Sequence, residues 1–94
     1  MTLEVAHILV THRYEAEDLQ RRLKAGEDFH HLAQKHSQCS SRVAGGRLGK
    51  VAINRLDPDF AEAALSLKDG EMSEVVRTRF GYHLILMLSA KRQR

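Results

Sequence analysis

The stretch "RFGYHLIL", residues 79–86, places His83 two residues after Gly81, inside a run that otherwise reads as an apolar strand. Near the other end, "VAHILV", residues 5–10, does the same with His7 among Val5, Ala6, Ile8, Leu9 and Val10. A buried imidazole costs free energy unless its nitrogens find partners. Two such residues near the two ends of one short chain predict that the terminal strands lie side by side and that the histidines satisfy each other.

Working outward, residues 3–10 read as a strand with both faces mostly apolar. Between Tyr14 and Ala25 the period changes: Ala16, Leu19 and Leu23 form one helical stripe, with Glu17/Arg21 and Asp18/Arg22 as favourable i,i+4 pairs. Gly26 stops this helix, and Asp28 caps a second one with Phe29, Leu32, Ala33 and His36 on one stripe. The Ser- and Gly-rich residues 37–50 predict a loop with one short helical turn, and "LGKVAI" a weak strand. A third helix starts at "LDPDF", with Asp57 as N-cap and Pro58 at its first position. "MSEVVRT" and "YHLILML" then form a hairpin through a tight turn at Phe80–Gly81. The order β-α-α-β-α-β-β predicts an α+β domain, an antiparallel sheet covered by helices.

The chain has 94 residues, 43% of them hydrophobic, enough for one core without staples. A single cysteine excludes an internal disulfide framework. No signal-peptide pattern is evident, and no apolar run approaches the roughly 20 residues that span a bilayer. The expectation is a soluble, cytoplasmic monomer, with no membrane association. Of the net charge of +3, all is contributed by Lys91, Arg92 and Arg94; the remaining twelve basic residues match twelve acidic ones. Aromatic and basic residues do not interleave, so no nucleic-acid partner is expected. We read residues 1–90 as one domain and 91–94, "KRQR", as a basic tail.

Four segments in this order, "AHILV", "HSQCSS", "GGRLGK…LDPDF" and "RFGYHLI", resemble the parvulin family of peptidyl-prolyl cis-trans isomerases across essentially the whole chain. The resemblance implies a four-stranded antiparallel sheet surrounded by about four helices. It also implies a groove on the sheet that binds proline-containing peptide segments without a cofactor or metal. Carried over residue by residue, it implies His7, Cys39, Thr78 and His83 as catalytic groups, and Leu48, Leu56, Phe60 and Phe80 as the proline pocket. Three departures stand out. Leu56 replaces the family's usual Met, which conserves volume. "KVAINR", residues 50–55, replaces a glycine-rich stretch, so Val51 and Ile53 are expected to narrow the rim. "THRYEAED" lacks the basic loop of phosphate-reading members, so no phosphate specificity is expected.

Read without the resemblance, Phe60 shares a core stripe with Ala64 and Leu67, and the histidines are a structural pair. Cys39 permits either attack on a carbonyl or a noncovalent role, and the family's acceptance of Asp at that position favours the second. A Cys–His hydrolase lacks any accompanying local motif. His30, His31 and His36 do not fall on one helical face as metal ligands would. The competing functional reading is a peptide-binding or chaperone module of the same fold with weak or no isomerase activity.

Overall fold

The computed structural model describes residues 1–91. Its order is β1 (Thr2–Val10), α1 (Arg13–Lys24), α2 (Phe29–His36), a 3-10 turn (Ser40–Ala44), β2 (Arg47–Ala52), a second 3-10 turn (Ile53–Arg55), α3 (Pro58–Leu65), β3 (Val76–Thr78) and β4 (Gly81–Lys91). The four strands form one antiparallel sheet in the order β2-β1-β4-β3. The expected α+β architecture holds, with three α-helices and two 3-10 turns in place of about four helices. β4 runs through Lys91, one residue into the stretch read as a tail. Residues 92–94 of that tail lie outside the described residues.

Both central strands are the ones whose residues are apolar on both faces, because helices cover the sheet on each side. Ala6, Ile8, Val10 and Leu84 pack with Ala16, Leu19, Phe29, Leu32 and Ala33 of α1 and α2. Leu3, Val5, Ile85 and Met87 pack on the opposite face with Phe60 and Ala64 of α3 and with Leu67 just beyond it. The period-2 alternation of a strand divides these sets. It puts His7 and His83 on the α3 face. β1 and β4 pair Leu9 with His83 and His7 with Ile85, so the two histidines are diagonal neighbours.

The helix caps follow the local rules. The Asp28 carboxylate accepts from the His31 N–H at 2.9 Å, and that of Asp57 from the Asp59 N–H at 3.0 Å. His36 is exposed, off the buried stripe of Phe29, Leu32 and Ala33 to which its spacing assigned it. It sits in the last turn, where an imidazole gains little from leaving water. The expected surface pairs rearrange: Arg21 takes Asp18, Arg22 takes Glu27, and Arg13 takes Glu17.

The hairpin differs from its sequence reading in two ways. Thr78 pairs with Gly81, so Arg79 and Phe80 are the central turn residues rather than Phe80 and Gly81. β3 is three residues long, because Ser73 interrupts the ladder upstream: its Oγ, not its carbonyl, accepts from the Ile85 N–H at 2.9 Å. Met72 still bridges to Leu86. Gly81 has φ 140°, and a Cβ there would lie 2.6 Å from the Val10 carbonyl oxygen.

Gly46 sets the height of the loop over β1. Its carbonyl accepts from the His7 N–H at 2.9 Å, and its φ is 84°. A Cβ on it would meet the His7 carbonyl oxygen at 2.4 Å. Left-handed strain plus backbone overlap are each worth about 1–3 kcal/mol. Gly46→Ala is therefore expected to destabilise the fold by roughly 2–5 kcal/mol, read from urea unfolding; a loss under about 1 kcal/mol would contradict the close approach.

Candidate active site

The α3 face of the sheet opens into a cleft of about 270 Å³, lined by His7 and Leu9 of β1, Cys39, Leu48 of β2, Arg55, Leu56 and Asp57 ahead of α3, Phe60, Phe80 and His83. Five separate chain segments contribute, each fixed by an element already described. Leu48 and Leu56 are half-buried, Phe60 is buried, and Phe80 is 59% exposed on the turn at the mouth.

Phe60 meets both readings that its sequence position allowed. It packs with Ala64 and Leu67 on the α3 core stripe. Its ring also stands edge-on to His7 at 5.5 Å and to His83 at 5.4 Å. One aromatic thus joins core and cleft wall and holds the two imidazoles from above the sheet.

At the floor, His7 Nδ1 and His83 Nδ1 are 3.0 Å apart, and His83 Nε2 is 2.7 Å from Thr78 Oγ1. Thr78 Oγ1 also accepts the Phe80 N–H at 3.1 Å. Proton positions follow from this chain. The Thr78 hydroxyl is buried and has no acceptor other than His83 Nε2 among the described residues, so it donates there. His83 is then protonated at Nδ1 and donates to His7 Nδ1, which leaves His7 with its proton on Nε2. That N–H is buried and has no partner within the described residues. The network delivers one unused donor on a residue of the cleft wall.

Both imidazoles are neutral at pH 7. Burial first, and then the neighbouring His83, together push the His7 pKa down to about 4. Burial likewise pushes His83 to about 4, against a smaller upward pull from the Asp57 carboxylate.

Seven of the eight residues singled out from the sequence line this cleft. Thr78 is the exception: it stands behind His83, bonded to its Nε2, and is not on the wall. Cys39 lines the wall, half-buried, but its sulfur makes no hydrogen bond to either histidine among the described residues; its backbone N–H bonds Ser37 Oγ at 3.3 Å. Its thiol is therefore outside the hydrogen-bond network of the two histidines. Val51 and Ile53 do not narrow the rim. They turn inward against the Leu3–Phe60 core, and Arg55 of the same stretch takes the rim position. Sequence reading also missed Leu9 and Asp57 as lining residues. Alternation from His7 pointed to Leu9; Asp57 was legible as a cap and not as a wall.

An antiparallel sheet with helices on both faces, carrying a neutral histidine pair beneath a small apolar cleft, is the arrangement of a rotamase-type domain. The model of the "Rotamase: PPIC-type PPIASE domain" matches residues 7–89, and the chain belongs to this family, the PpiC-type (parvulin) peptidyl-prolyl isomerases. It is similar to "Foldase protein PrsA" of Clostridium botulinum (strain Loch Maree / Type A3), with 45% identity over 92 residues, covering 96% of this chain and 28% of that protein. The same-named protein of Bacillus subtilis (strain 168) is 43% identical over 84 residues, covering 88% of this chain and 29% of that protein. The chain thus spans less than a third of these relatives. Among solved structures, peptidylprolyl isomerase PrsA from Bacillus anthracis matches with a TM-score of 0.96 and 34% identity over 99% of this chain and 43% of that one. NmPin, the parvulin of Nitrosopumilus maritimus, matches with a TM-score of 0.83 and 36% identity over 94% of this chain and 96% of that one.

Proposed function

We propose that the chain accelerates cis-trans rotation about X–Pro bonds in client polypeptides and thereby assists folding, without covalent attack and without a phosphate requirement. One observation carries the reading: Leu48, Leu56, Phe60 and Phe80 wall one largely apolar cleft of about 270 Å³ together with the neutral pair His7–His83.

The chemistry asks for little else. The barrier, ~18–20 kcal/mol, is lost amide resonance, and no bond between heavy atoms breaks. As the peptide twists, its nitrogen becomes pyramidal and its carbonyl loses conjugation. A site that grips the pyrrolidine ring on apolar walls lets the preceding carbonyl rotate, above a floor that the neutral histidine pair keeps free of charge. A thousandfold acceleration requires about 4 kcal/mol of preferential binding to the twisted form. Neutral histidines serve this better than charged ones, because no ion has to be desolvated when the peptide covers the cleft.

A protease-free exchange assay by NMR on a panel of X-Pro peptides tests the proposal. Acceleration of unphosphorylated Ala-Pro is expected; saturable binding with no acceleration would favour the peptide-binding module. Cys39 contributes a small polarizable wall, not a nucleophile. Cys39→Asp is accordingly expected to keep activity within about fivefold, a change of about 1 kcal/mol, whereas total loss in a folded variant would restore the covalent route.

The same proposal includes a cytoplasmic monomer. It is supported by a lone thiol, and by exposed large apolar residues scattered over α1, the first 3-10 turn, α3 and the hairpin tip rather than on one element. Light scattering of the purified chain and fractionation of expressing cells test it; a dimer or an extracytoplasmic pool would overturn it.

A further inference from the structure

The mouth of the cleft carries three charged side chains, those of Arg55, Asp57 and Arg79. Arg55 and Asp57 line the cleft itself, and Arg79 belongs to the hairpin tip beside Phe80. Two of them are committed to each other. One Asp57 carboxylate oxygen caps α3 through the Asp59 N–H, and the other faces Arg79 Nε at 3.6 Å. The Arg79 guanidinium lies over the Phe80 ring, 4.9 Å from its centre, so its charge is spent on an aromatic face and a carboxylate. Arg55 is exposed and has no carboxylate within ion-pair distance among the described residues. With both histidines neutral, the cleft and its mouth carry a net charge of about +1, and the uncompensated cation is the guanidinium next to Leu56 in the chain.

We propose that Arg55 makes this cleft selective for client segments that carry a carboxylate side chain, Glu or Asp, adjacent to the proline. This rests on the isomerase reading of the same cleft. Leu56 and Phe60 fix the ring position, and Arg55 immediately precedes Leu56, so a seated proline brings its neighbouring side chains within reach of a long, flexible guanidinium. The guanidinium fork pairs with a carboxylate in a way that an amide side chain does not. A lysine in the same substrate position meets a like charge. Because the pair forms at an exposed rim, the preference is moderate and screened by salt. It is independent of any basic loop after β1, where this chain has "THRYEAED".

The experiment uses peptides identical except for Glu, Gln, Ala or Lys directly before or directly after the proline. It measures exchange kcat/KM and, by chemical-shift titration, Kd, for the full chain and for Arg55→Gln and Arg55→Lys. A Glu:Gln ratio of roughly two- to fivefold at low salt is expected in at least one of the two positions. That ratio should collapse to near one in Arg55→Gln or in about 0.5 M salt, and should largely survive in Arg55→Lys. A ratio near one in the unmodified chain, or one that Arg55→Gln leaves untouched, overturns the proposal. Failure of the isomerase reading looks different: no peptide is accelerated, while the Kd ratios still report whether Arg55 selects carboxylates.

Discussion

His83→Ala is expected to lose isomerase activity and to lower the midpoint of thermal unfolding by more than about 10 °C. The substitution removes the partner of His7 Nδ1 and of the Thr78 hydroxyl, both buried, and leaves a void at the junction of Phe60 and β4. Each orphaned polar group costs about 1–3 kcal/mol, so a total of roughly 3–5 kcal/mol follows once the void is included. In a domain of this size 1 kcal/mol moves the midpoint by about 4–8 °C. Activity is best compared at about 10 °C, where the variant retains a folded population. An unchanged melting temperature would contradict the paired arrangement, whatever the activity did.

Acid is expected to destabilise this protein over a window set by the same pair. In the unfolded chain His7 and His83 titrate near 6.5, whereas folding pushes each to about 4. Between these values the unfolded state binds more protons than the folded one, so stability decreases as pH falls from about 6.5 toward about 4 and is unaffected by these groups above about 7.5. At ~1.4 kcal/mol per unit, the difference approaches roughly 3 kcal/mol for each imidazole at the acid end. Urea unfolding at pH 7.5, 6.5, 5.5 and 4.5 reads this directly. The slope should weaken in His83→Ala, which removes one of the two groups. A flat profile from pH 7 to 4.5 would mean that the pair is not held neutral by burial. Isomerase activity measured at temperatures well below unfolding should persist through the ordinary histidine titration range, since neither imidazole gains its proton there.

Much of this molecule is legible along the chain because the interactions involved are short. Asp28, and Asp57 with Pro58, announce their helices through groups one to three residues away. The change from period 2 to period 3.6 after Val10 separates strand from helix. Two-sided apolar patterning in β1 and β4 identifies them as the buried centre of the sheet. The resemblance of four ordered segments placed seven of eight nominated residues on one cleft. Where the chain was misread, a nonlocal competitor decided the outcome. Ser73 takes the Ile85 N–H and shortens β3, and the α3 core draws Val51 and Ile53 inward and leaves Arg55 at the rim.

What the sequence determined by itself was the set of elements, their order and the two histidines that had to find partners. Only the tertiary structure decided how they found them. A diagonal in the β1–β4 register joins residues 76 positions apart, Thr78 anchors the proton order from behind, and Cys39 remains outside the chain of hydrogen bonds. Backbone preferences and caps act over a few residues and can be read locally. Register, burial and the uncompensated charge of Arg55 depend on which distant segments share the same ångströms.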